Sequence, residues 1–116
     1  MRDDRFFIRQ IIRYCKDIEE CIEYFGNDEE DFLGNKFYQT SCAFYVSHIG
    51  ESANYLSSEL TGKYPDVMWR EIVGLRNIIV HDYGKVRIES LWETITKRVP
   101  ELKESCEFIL SQINSK

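Results

Sequence analysis

Apolar residues recur along most of this chain at intervals of three and four, the spacing that lines one side of an α-helix. The first such stripe is Ile8, Ile11, Ile12, Cys15, Ile18, Ile22 and Phe25. Asp3 and Asp4 suit its start, because carboxylates cap free N–H groups and face the positive end of the helix dipole, and Gly26 suits its end. The stripe predicts a helix over 3–25. NDEEDFLG, residues 27–34, predicts a short acidic helix closed by Gly34. A second long helix is predicted from an Asn35 cap to about Leu60, with Phe37, Phe44, Ile49, Ala53, Leu56 and Leu60 inward. Gly50 in its middle costs about 1 kcal/mol relative to alanine, which points to close approach of another backbone.

TGKYPD, residues 61–66, breaks the pattern, and Pro65-Asp66 is a start signal for a third helix from about Val67 to His81. Ile72, Leu75, Ile78 and Ile79 are its expected buried side, and Asp82-Tyr83-Gly84 its end. The last stripe is Ile88, Leu91, Trp92, Ile95, Val99, Leu102, Cys106, Ile109 and Ile113. Pro100 falls inside it and must remove one backbone hydrogen bond and bend the axis, yet the apolar phase carries through. One kinked helix is therefore expected rather than two. No segment alternates with the period of two that marks a strand. The expected fold is all-α, an antiparallel up-and-down bundle of four main helices with a short extra helix and a Pro-kinked last helix.

Composition narrows the class. A length of 116 residues fits one domain, 1–116, and 43% apolar with 30% charged residues is ordinary for a water-soluble fold. No apolar run approaches the ~20 residues that span a bilayer, and MRDDRFFIRQ lacks the features of a signal peptide, so a cytoplasmic location is expected. Cys15, Cys21, Cys42 and Cys106 form no CxxC pair and have no histidine at zinc spacing. Cys15 and Cys106 lie on the apolar stripes and read as small hydrophobes, and no metal site is expected.

A net charge of −5 argues against non-specific nucleic-acid binding, which depends on neutralising phosphates. Residues 63–98 run against that average. They carry Lys63, Arg70, Arg76, Lys85, Arg87, Lys97 and Arg98 against Asp66, Glu71, Asp82, Glu89 and Glu93. Conversely, Asp17, Glu19, Glu20, Glu23 and Asp28–Asp31 make an acidic corner, read as a solvated face or a docking surface for a basic partner.

RNIIVHDYGK, residues 76–85, sits in the basic interval. Arg76 offers a permanent forked cation that can grip phosphate oxygens and stabilise a pentacoordinate transition state. His81 can take and return a proton near neutrality. Together they suit metal-free RNA cleavage, in which the imidazole deprotonates a ribose 2′-hydroxyl that attacks the adjacent phosphate. Asn77 can orient the imidazole or the phosphate, and Tyr83 can stack on a base or hydrogen-bond a phosphate. On one continuous helix Arg76 and His81 point roughly 140° apart and ~7.5 Å along the axis, so two copies across a symmetry axis would combine them better than one. The same side chains also suit a structural role: a cation and a histidine favour the carbonyl end of a helix, with Asp82 pairing to either. His48 reads as a surface or interface histidine.

Three stretches read together resemble one family. IGESANYLS (49–57), YPDVMWREIVGLRNIIVHDYGK (64–85) and LWETITKRVPELK (91–103) are similar to the HepT family of HEPN-domain proteins. Ser52 and Met68 depart from the usual alanine and proline, and residues 1–35 match in helical pattern only. The resemblance implies a HEPN bundle acting as a homodimer, with the Arg-x4-His-x-Tyr motifs of two chains lining a shared cleft. It implies the toxin of a two-gene toxin–antitoxin system, a metal-independent ribonuclease acting on RNA without a cofactor of its own. The implied partner is a minimal nucleotidyltransferase antitoxin of the MntA type, which uses ATP to attach AMP to the motif tyrosine. Carried over by position, Arg76 and His81 are the catalytic pair, Asn77 a supporting residue and Tyr83 the adenylylated one. The competing expectation is a non-catalytic subunit of a two-component nucleotidyltransferase that binds a nucleotide or substrate phosphate.

Overall fold

A computed structural model describes residues 3–114, and among these every regular element is helical. Helix α1 spans Asp4–Phe25. The Asp3 carboxylate caps it by accepting from the Phe6 N–H at 3.2 Å, and Gly26 ends it at φ +126°, a conformation that favours glycine. Ile8, Ile11, Ile12, Cys15 and Ile18 are buried, as their stripe predicts.

Helix α2, Glu29–Leu33, folds back onto the start of α3, Lys36–Asn54. Phe32 is its buried anchor, edge-on to Tyr38 with ring centres 4.8 Å apart and tilted against Trp92 at 5.3 Å. The Tyr38 hydroxyl donates to the Gly26 carbonyl and the Gln39 amide to that of Phe32, each at 2.9 Å. These bonds close the corner between α1 and α3. Glu29, Glu30 and Asp31 remain exposed, as a solvated face would be.

The expected helix from Asn35 to Leu60 is instead two. It stops at Asn54 and resumes as α4, Ser58–Lys63. Ser57 caps α4 through its hydroxyl, and Asp4 of α1 takes both the Ser57 N–H at 2.8 Å and its hydroxyl at 2.6 Å. A contact across 53 residues breaks a helix whose local pattern would continue it. Phe37 and Phe44, expected inward, are 73% and 55% exposed, while Tyr38, Cys42, Val46, Ile49 and Ala53 form the buried face of α3.

Helix α5, Trp69–His81, is followed by a 3₁₀ turn at Tyr83–Lys85. Trp69 anchors it by donating its indole N–H to the Tyr64 carbonyl at 3.1 Å. Ile78, expected to be buried, is 44% exposed. The final rod is α6, Ile88–Glu93, a π turn at Thr94–Arg98, and α7, Val99–Asn114. The single continuous helix expected there therefore carries a local widening just before Pro100, where the Val99 N–H reaches back to the Thr94 carbonyl. Proline supplies no N–H, and the wider turn is how the rod absorbs it. Hydroxyls of Thr94 and Thr96 donate to the Ser90 and Trp92 carbonyls at 2.9 and 2.7 Å and brace this segment.

The four main helices are α1, α3, α5 and the α6–α7 rod. Helix α1 packs against both α3 and α7, and α5 packs against α3. A groove of about 380 Å³ lies between α5 and the rod, floored by Ile49, Ile72, Leu75 and Leu102. Cys15, Cys42 and Cys106 are buried in the core as small hydrophobes, Cys21 is half-buried, and all four are free thiols. Among the described residues no helix is long and apolar enough to cross a membrane.

Candidate active site

The site begins with an absence of side chain. A Cβ built on Gly50 would lie 2.2 Å from the Arg76 Cβ and 2.9 Å from the Ile72 carbonyl, so only glycine lets α5 press this closely on α3. The close approach expected at Gly50 is therefore made by α5, and by Arg76 in particular. With its stem against α3, Arg76 extends its guanidinium along the seam. Nη2 donates to the Glu51 carboxylate at 2.5 Å and Nη1 to the Asn77 side-chain carbonyl at 2.9 Å. The remaining donors of the fork make no hydrogen bond with the described residues. Arg76 is 25% exposed and Glu51 37%, so the pair sits at the surface end of the seam, within reach of solvent.

His81 occupies the last position of α5 and is exposed. Its imidazole makes no hydrogen bond or ion pair with the described residues of its own chain. The Asp82 N–H closes the helix on the Ile78 carbonyl at 2.8 Å, and the Asp82 carboxylate lies 3.4 Å from the Lys85 ammonium. Asp82 thus pairs with neither Arg76 nor His81, the partners that a capping role would have given it. Tyr83 stands exposed at the head of the 3₁₀ turn.

Of the four residues expected from the sequence, the fold brings Arg76 and Asn77 together and holds His81 and Tyr83 at the helix end. Because α5 is continuous from Trp69 to His81, the roughly 140° between Arg76 and His81 stands. His48 lies elsewhere on α3, half-buried, stacked on Tyr14 at 5.1 Å and edge-on to Phe44 at 4.4 Å. Glu51 is the residue that sequence reasoning missed. Its signals were its place directly after the glycine that admits α5 and its presence in the IGESANYLS stretch.

A helical bundle of this kind, with a clamped arginine and an unencumbered histidine on one exposed helix, is consistent with a HEPN-like architecture. A match to the ribonuclease HepT-like family covers residues 11–109, and the chain belongs to that family. It is 31% identical to "Putative RNase MJ1380" of Methanocaldococcus jannaschii over 108 residues, 93% of this chain and 97% of that one. It is 30% identical to "Putative RNase TTE0752" of Caldanaerobacter subterraneus subsp. tengcongensis over 112 residues, covering 97% and 98%. Identity to "Probable ribonuclease HepT" of Thermococcus cleftensis is 30% over 99 residues, covering 81% and 90%. No solved structure matches the chain.

Proposed function

We propose that this chain is a metal-independent endoribonuclease, the toxin of a two-gene system, and that it works as a homodimer. The observation that carries the reading is the Arg76 fork, fixed by Glu51 and Asn77 with donors to spare, on the same exposed helix as an unpaired His81. Arg76 grips a phosphate of single-stranded RNA. His81 removes the proton of the adjacent 2′-hydroxyl, whose oxygen attacks phosphorus. The bond from phosphorus to the 5′-oxygen breaks, the imidazolium returns its proton to that oxygen, and a cyclic phosphate and a 5′-hydroxyl end remain. Charge accumulating on the phosphorane oxygens falls to the guanidinium.

Dimerisation is supported by the same geometry. Arg76 and His81 of one copy diverge, so a cleft that holds both is built more readily from Arg76 of one chain and His81 of another across a twofold axis. A single chain also leaves apolar surface uncovered: Ile78 and Val80 on α5, Phe44 on the outer face of α3 and Tyr55 just past its end.

Tyr83 is the point of control. A nucleotidyltransferase partner joins the α-phosphorus of ATP to its phenol oxygen, with loss of pyrophosphate and the phenolic proton. The resulting anionic phosphodiester and bulky base stand two residues from His81, where RNA would meet like charge and a steric block.

Purified protein should cleave single-stranded RNA in the presence of EDTA, and His81→Ala should lower the rate about 10²–10⁴-fold with unchanged melting. Undiminished cleavage by that variant sinks the catalytic assignment. Tight AMP binding with no cleavage by the parent would favour the nucleotide-binding subunit instead. Intact mass after co-expression with a neighbouring nucleotidyltransferase should show AMP-sized increments that vanish in Tyr83→Phe.

A further inference from the structure

The Arg76 guanidinium is held at two points, and one of them lies outside the motif. Asn77 is its neighbour in sequence, but Glu51 arrives from α3, 25 residues earlier. The stem of Arg76 is fixed as well, pressed into the gap that Gly50 leaves in α3. A long side chain that would otherwise sample many rotamers is thus pinned at base and tip. At this level of exposure an ion pair contributes little to stability, so the contact is poorly explained as a fold-stabilising one.

We propose that Glu51 is a positioning residue for the Arg76 fork, aiming its free donors along the α3–α5 seam and offsetting its charge. This rests on the ribonuclease reading above. An aimed but partly neutralised fork attracts the single charge of bound RNA weakly. It still serves the phosphorane, whose extra charge develops in front of donors already in place. Glu51 therefore favours the transition state over the bound substrate.

Two variants separate aim from charge. Glu51→Ala frees the fork and should lower kcat about 10–100-fold while leaving thermal unfolding and dimer mass unchanged. Glu51→Gln keeps an acceptor oxygen without the charge. It should retain most of kcat and lower KM about two- to threefold at low salt, an effect that fades as salt screens it. Glu51→Ala with the parent's kcat and KM overturns the proposal, and so does Glu51→Gln as impaired in kcat as Glu51→Ala. Should Glu51→Ala fail to fold, the Gln variant decides alone: a kcat lowered about tenfold or more, or a KM unchanged at low salt, overturns the proposal.

A readout independent of catalysis is nitrogen-15 NMR of the arginine side chains. Arg76 should show separate, slowly exchanging Nη signals in the parent that merge in Glu51→Ala. Averaged signals in the parent overturn the clamp whatever the activity. A parent with separate signals but no RNA cleavage retains the clamp and sinks the ribonuclease reading.

Discussion

Helix α1 buries Ile8, Ile11, Ile12, Cys15 and Ile18 and packs on both α3 and α7, whereas the thirteen residues of α5 bury Trp69 alone and pack on α3. A helix gripped from two sides has its apolar face committed and its caps local. One gripped from a single side keeps much of its circumference open, and here that circumference carries Asn77, His81 and, just beyond, Tyr83. The two helices divide the labour of the chain: α1 holds the fold, and α5 presents the residues of the proposed chemistry on it. Gly50 joins the two roles, since the close crossing it permits is also what sets Arg76 in place.

Four measurements would break or sharpen this contrast. Truncating α1 should matter most. Ile11→Ala should cost about 2–5 kcal/mol, a fall in Tm of roughly 10 °C or more by calorimetry, with RNA cleavage per folded molecule intact. Next comes Gly50→Ala, which forces α3 and α5 apart. The crowding should cost about 1–3 kcal/mol, partly offset by alanine's helix preference, and cleavage should fall further than stability does. Equal melting and activity in this variant would refute the close crossing.

The third concerns pH. Burial holds the Cys15 and Cys42 thiols well above their ordinary range and pushes Cys106 from 9.0 up to about 12. It likewise raises the Tyr38 phenol, whose hydroxyl donates to Gly26. The folded chain keeps these protons where the unfolded chain loses them. Their contribution is therefore complete below about pH 9 and declines as pH climbs toward 12. Melting recorded from pH 7 to 11 should be flat and then fall, and a Tm that rises above pH 9 would contradict this. The smallest effect on stability belongs to α5: Ile78→Ser should change unfolding of the single chain by less than about 0.5 kcal/mol, yet weaken dimer formation in sedimentation experiments.

The sequence made α1 legible because its aliphatic positions, Ile8, Ile11, Ile12, Ile18 and Ile22, lie on one face. Helix α3 was less so, for it carries two. Tyr38, Cys42, Val46, Ile49 and Ala53 fall on one side, and Phe37, Phe44 and Tyr55 cluster roughly 140° away. Periodicity cannot say which side meets the core, so Phe37 and Phe44 were expected inward. The break before Ser57 was hidden for a different reason: its cause is Asp4, far off in the chain. The site divides the same way. Arg76, Asn77, His81 and Tyr83 lie together in RNIIVHDYGK, where spacing alone left a structural role open and the family resemblance gave them their expected roles. Glu51 was given no role, because only the crossing of α3 and α5 brings its carboxylate to the fork.

The π turn at Thr94–Arg98 takes up one residue more than an ordinary helical turn, so the rod passes Pro100 with its direction kept. Leu91 and Ile95 before it and Val99, Leu102, Cys106 and Ile109 after it are all buried. The irregularity works like a vernier. Removing one residue there, Thr96 for example, would close an ordinary helix around Pro100 while α7 still faced the core, so calorimetry of the deletion variant should show melting that is still cooperative but at a lower temperature.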